Sequence, residues 1–179
     1  MTQDRQWLRE RGYPVLKEVA DFWASRVERK GPGRYEINNV IGANEWQENI
    51  DNNVFTNGMA ITVLRNAAAA ARALGMAPDP DWERVAANIP ILTFADGTTR
   101  ENASYDGVPI KQADVNLLAY PLSIVTDPAR IAKDLAYYEP WMSPEGPAMS
   151  NSILATLYAR AGKLRRRTGC SSRATGPTR

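Results

Sequence analysis

The sequence predicts an all-α fold assembled from helix pairs. Three observations carry this. Apolar residues recur at spacings of three and four along most of the chain, residues with helix-capping chemistry stand where those stripes begin, and glycine or proline stands where they stop. Strand signal is confined to one short segment, and the strand–helix alternation of a parallel α/β layer is missing. At 179 residues, 44% of them apolar, the chain is long enough for one domain with a sizeable core.

Taken in order, Pro14 fits the first turn of a helix in which Val15, Val19, Phe22, Trp23 and Val27 form one stripe, and Gly31-Pro32-Gly33 stops it. Residues 34–41, RYEINNVI, alternate loosely and read as a short extended segment. Asn52 or Asn53 caps the next helix, with an inner face expected at Phe55, Met59, Val63, Ala67, Ala70 and Leu74 and Gly75 at its end. Its alanine run suggests close packing. Asp79-Pro80 opens a short helix with Trp82, Val85, Ala86 and Ile89 inward, closed by Pro90. Residues 91–110 carry turn chemistry at Asp96-Gly97 and Asp106-Gly107, and KQADVNLLAY after Pro109 is expected to be a helix ending near Pro121. Asp127-Pro128 starts another, with Ile131, Leu135 and Tyr138 inward and Pro140 as its stop. The last helix runs from about Ala148 with Met149, Ile153 and Leu157 on one stripe and closes near Gly162. No repeat of fixed period is present.

The formal charge of +2 conceals a division: residues 163–179 hold six Lys/Arg and no acid, which leaves the remainder at −4. A nucleic-acid binder would spread that positive charge over a folded face, whereas here it sits in a tail, so no nucleic-acid partner is expected, a basic-tail binder being kept only as a rival. The tail has no apolar periodicity and is expected to be disordered. Zero histidines and a single cysteine, Cys170, remove Ser-His and Cys-His nucleophiles, disulfide frameworks and most zinc chemistry, and no cofactor or metal is called for. No apolar run approaches the roughly 18 residues of a membrane span, and the N-terminus is too charged for a signal peptide, so a cytoplasmic protein is the default expectation.

The stretch IGANEWQENIDNNVFTN, residues 41–57, gathers two glutamates, an aspartate, five asparagines and a glutamine ahead of an apolar helix. Asx-rich loops before helices commonly supply only caps and turns. A carbohydrate site would use the same residues differently. Asn and Gln offer donor and acceptor together to sugar hydroxyls, and Trp46 offers an apolar plate for a pyranose face. A carboxylic acid does general-acid work at neutral pH only in a partly enclosed position that raises its pKa, for which Glu45 and Glu48 are the candidates.

The segment YEINNVIGANEWQENIDNNVFTNGMA resembles the part of glycoside hydrolase family 65 that reads near G-P-D-E-Y-H-E-N-V-D-N-N-A-Y-T-N. KQADVNLLAYP at 111–121, YYEP at 137–140 and SPEGPAMSNSI at 143–153 follow in the family's order, so the resemblance covers roughly residues 5–162. It implies a partial (α/α)6 barrel, a six-hairpin toroid, with a short extended segment before the catalytic loop. It also implies an inverting reaction on an α-linked glucosyl residue, with an α-glucoside or glucose-containing disaccharide as substrate. Glu45 then corresponds to the general acid, and Lys111 and Gln112 to the pair holding the non-reducing glucose. Asn52, Asn53, Thr56 and Asn57 are expected to support the loop, and Asp114 has no assigned role.

The family's Pro-Asp before the glutamate is Ala43-Asn44 here, and its Tyr-His after it is Trp46-Gln47, which alters the field around Glu45. Family phosphorylases resemble one another in a His-Asp-Ser-Ser-Leu-Ser segment after Tyr-Glu-Pro. SPEGPAMS in its place resembles the acid-trehalase and hydroxylysine-glucosidase branch, so a hydrolase is expected, with a phosphorylase as the alternative. Glu145 could be proposed as the base, but between Pro144 and Gly146 it reads as an exposed turn residue. In the hydrolase branch the base lies beyond the helix ending near Gly162. Residues 1–162 are therefore expected to be a partial catalytic domain and 163–179 a basic tail. A helical sugar-binding or interaction module without turnover is the rival from another class. The oligomeric state is left open.

Overall fold

The computed structural model describes residues 4–161. A helical turn α1 (Arg5–Trp7) passes through a π-type turn, Leu8–Gly12, into α2 (Tyr13–Arg26); α3 (Val54–Ala73), α4 (Pro80–Asn88), α5 (Pro128–Tyr138) and α6 (Met149–Arg160) follow. Two short strands, β1 (Glu28–Arg29) and β2 (Tyr35–Glu36), pair antiparallel after α2. Gly31 at φ 135° and Gly33 at φ 64° make the turn between them, conformations that side-chain-bearing residues resist. The extended segment expected at 34–41 is this second strand and the chain leading from it. The expected tail at 163–179 lies outside the described residues. Among the described residues no helix is long and apolar enough to cross a membrane.

The helix starts follow local chemistry. Asn53, Asp79 and Asp127 each accept a backbone N–H from the first turn of α3, α4 and α5, and prolines at the first helical position follow both aspartates. α3 stops at Gly75, φ 76°. It is the central element: α2 and α4 pack on it, with Ala20, Leu64, Ala67, Trp82 and Val85 in their shared core. On its other side Gly58 meets the single helical turn Val115–Leu118 so closely that a Cβ there would lie 2.6 Å from Leu118 Cδ2. A second core around Tyr105, Ile110, Leu118 and Tyr138 joins that turn to α5, and a third holds α6 through Leu135, Leu154 and Leu157.

Four expectations are corrected. The apolar stripe of α2 faces outward in part: Val15 is 63% exposed, Phe22 55% and Val19 38%, while Ala20 is fully buried and Tyr13, Leu16, Trp23, Ala24 and Val27 pack on the core. The helix carries apolar residues on two faces, and periodicity alone does not choose between them. The inner face of α3 is likewise broader than expected, since Met59 is 36% exposed while Val54, Asn57, Ile61 and Leu64 are buried. On α6, Met149 is 62% exposed, and Ser150, Leu154, Leu157 and Tyr158 turn inward.

The fourth correction lies at 111–120, where a helix was expected and only the turn Val115–Leu118 forms. The amide N–H of Lys111 donates to Asn44 Oδ1 at 3.0 Å and that of Ala113 to Ser150 Oγ at 3.0 Å. Both donors are held by partners distant in sequence, so this stretch follows the groups it binds rather than a helical path.

Candidate active site

The polar loop is tied at its base by Val40 and Ile50, whose backbones exchange hydrogen bonds of 2.9 and 3.0 Å. Asn49 and Asn52 sit at φ 54° and 53°, the left-handed conformation that asparagine tolerates better than most residues. Asn53 Oδ1 accepts from both the amide and the hydroxyl of Thr56, at 2.8 and 3.0 Å. Part of the asparagine richness is therefore turn and cap chemistry, as the plain reading of the sequence expects.

Asn44 does something else. It is fully buried, and it ties three segments together. Its backbone N–H donates to Asp114 Oδ2 at 3.1 Å, and its Nδ2 donates to Glu101 Oε1 at 3.1 Å. Its Oδ1 accepts from the amides of Lys111 and Trp46, at 3.0 and 3.4 Å. The residue beside it in the loop, Glu45, thereby meets Lys111, and Lys111 Nζ lies 2.5 Å from Glu45 Oε2 across 66 positions of sequence.

Glu45 stands open, its side chain 56% exposed and that of Lys111 36%. The partly enclosed position expected for it is not what the described residues build. Burial at the loop is taken by Asn44, which leaves Glu45 at the surface. Trp46 is 55% exposed beside it, Gln112 is half-buried next to Lys111, and Glu48 is exposed. Gln47 Oε1 accepts from Asn102 Nδ2 at 2.6 Å and pins the far side of the loop.

The segment after α5 supports Lys111 from behind. Ile110 donates its N–H to Trp141 O at 2.9 Å, and Ser143 returns one to Ile110 O at 2.8 Å. Gly146 lies against the backbone here: a Cβ on it would sit 2.1 Å from Lys111 O, so no side chain fits without moving that strip. Glu145 is exposed on the turn closed by Gly146 N–H to Ser143 O at 3.0 Å.

Below the loop lie two acids: Asp114, to which sequence reasoning assigned no role, and Glu101, which it did not single out. Glu101 is fully buried; loss of water, and then the negative charge of Asp114, push it up to about 8, against the pull of the Asn44 amide. Burial raises Asp114 too, opposed by the Asn53 amide and by the backbone N–H groups of Asn44, Ala43 and Phe55. Asn53 Nδ2 reaches Asp114 Oδ2 at 3.0 Å because residue 42 is glycine: a Cβ there would lie 2.3 Å from that nitrogen and 2.7 Å from that oxygen. Glu101 comes from a turn-rich stretch with no periodic pattern, and nothing local marks it as buried. Among the described residues no three His, Cys, Asp or Glu side chains converge as a metal site.

Residues 1–91 match the family model described as glycosyl hydrolase family 65 central catalytic domain. A kojibiose hydrolase of Mucilaginibacter mallensis is 59% identical over 163 residues, 90% of this chain. The chain belongs to glycoside hydrolase family 65. A second relative, a kojibiose hydrolase of Flavobacterium johnsoniae, is 48% identical over 161 residues, 89% of this chain. The chain spans about a quarter of the length of these relatives, 24% of each. Among solved structures, a putative kojibiose phosphorylase from human microbiome superposes with a TM-score of 0.80 at 15% identity, covering 95% of this chain and 30% of that one, a likeness of fold. The family 65 membership expected from the motifs is met, and the mostly helical architecture is shared with that neighbour.

Proposed function

We propose that this chain carries the general-acid side of an inverting α-glucoside hydrolase, acting on an α-linked glucose disaccharide of the kojibiose kind. The observation that carries the reading is the meeting of Glu45 with Lys111, drawn from two motifs 66 residues apart and both open to a ligand. Lys111 and Gln112 hold the non-reducing glucose through its hydroxyls, and Trp46 covers an apolar sugar face. Glu45 protonates the glycosidic oxygen as its bond to the anomeric carbon breaks. Water attacks that carbon from the opposite face, gives its proton to a second carboxylate, and leaves glucose of inverted configuration. Glu45 then regains a proton from solvent.

The second carboxylate and the walls enclosing Glu45 are proposed to come from the rest of an (α/α)6 barrel, of which residues 1–162 would be one part. Hydrolysis is preferred to phosphorolysis on the wording of SPEGPAMS and on the names of the two kojibiose hydrolases. Glucose release from kojibiose, followed with an enzymatic glucose assay on the chain and on a full-length protein containing it, tests the reading. Glu45→Gln should remove release by 100-fold or more, of the order general-acid catalysis contributes, while Glu48→Gln leaves it within about threefold. Equal losses in both variants would sink the assignment. The exposure of Glu45 favours one second reading, a sugar-binding module without turnover, which calorimetric binding of glucose without release would support.

A further inference from the structure

We propose that Asn44 and Glu101 are positioning residues: Asn44, gripped from below by Glu101, fixes Glu45 against Lys111 and thereby makes the state of that pair depend on the state of Glu101. This rests on the reading of Glu45 as the reacting acid, and it concerns residues that touch no substrate.

The geometry leaves Asn44 one orientation. Its Oδ1 receives two backbone N–H groups, from Lys111 and Trp46, and its Nδ2 faces Glu101 Oε1. Turning the amide over would set its NH2 against two N–H donors and its oxygen against a carboxyl oxygen. Asn44 thus spans the loop that carries Glu45, the start of the segment that carries Lys111, and the buried acids beneath. The grip on Glu45 is backbone-deep, since the residues on both sides of that glutamate are hydrogen-bonded into it.

What lies beneath is uncompensated. Among the described residues, the groups facing Glu101 are Asp114 from the strip after Lys111, Tyr105 from its own loop, Tyr138 from α5, and the amides of Asn44 and Asn102, with no lysine or arginine among them. Glu101 Oε2 has no hydrogen-bond partner. Two carboxylates sharing a buried place without a cation hold one proton between them. Losing that proton puts a second negative charge next to Asp114, which itself holds the Asn44 backbone N–H, so the repulsion acts on the anchor of the loop. Burial raises both phenols, so neither adds a competing step near neutral pH.

The test is carbon NMR of the full chain with glutamate labelled at the side-chain carboxyl, the Glu45 resonance being identified by its loss in Glu45→Gln. The Glu45 signal should show an inflection near pH 8, where Glu101 is placed. Glu101→Gln keeps an acceptor for Asn44 without a titrating proton and should abolish that inflection. Asn44→Ala should abolish it at Glu45 while the titration of Glu101 itself persists, which serves if Glu101→Gln does not fold. A Glu45 curve with no alkaline inflection in the unaltered chain, or one unchanged in both variants, overturns the proposal. The kojibiose assay separates the two ideas: release that survives Glu45→Gln removes the acid assignment, whereas the NMR step reads the coupling alone.

Discussion

Glu101 gives the molecule a pH dependence whose sign follows from its surroundings. Its carboxyl is pushed from 4.5 up to about 8 on folding, so the native state binds that proton more tightly than the unfolded chain does. The stability it contributes is complete below pH 4.5 and is lost as pH rises through about 8. Urea unfolding midpoints should therefore fall between about pH 5 and about pH 9, and Glu101→Gln should flatten that fall. The flattening is partial, because burial raises Asp114 and Asp134 in the same direction. Gly42 is the other single residue under strong constraint. Gly42→Ala forces a methyl group between Asn53 and Asp114, and should cost about 1–3 kcal/mol in denaturant unfolding, the range for overpacking.

At the scale of elements, the cap of α3 and the buried acid beneath the loop share one side chain. Asn53→Ala removes the acceptor for Thr56 and a donor to Asp114, so it should cost about 1 kcal/mol for the cap and about 1–3 kcal/mol more for the stranded carboxyl. Asn53→Asp retains the cap acceptor but sets a carboxylate against Asp114, and at neutral pH should destabilise more than loss of the cap alone. The corrected face of α2 has its own check: Val15→Lys should change stability by less than about 0.5 kcal/mol, while Ala20→Leu should cost about 1–3 kcal/mol. These elements show where the sequence was readable. Asn53, Asp79, Asp127 and Gly75 mark helix ends through contacts within a few residues, and those ends were legible. The stretch 111–120 was not, because its amides bind Asn44 and Ser150, 67 and 37 positions away. The same division runs through the candidate site: ordered motifs point to Glu45, Lys111 and Gln112 as candidates, whereas the link from Asn44 to Glu101 spans 57 positions and leaves no periodic trace.

Across the whole molecule, apolar surface collects on one flank, where Trp7, Val15, Val19 and Phe22 are all at least 38% exposed. Such surface on a monomer favours association. Sedimentation velocity should show concentration-dependent self-association that the double variant Val15→Lys, Phe22→Lys reduces, with the melting temperature little changed. A different long-range dependence follows from Gly146. Its α-carbon rests on the carbonyl of Lys111, so the turn on which the proposed preference for hydrolysis rests is wedged against the strip proposed to hold glucose. Under that proposal, rewriting this turn for another nucleophile would also reseat the grip on the sugar, which would tie the choice of attacking molecule to the fit of the substrate.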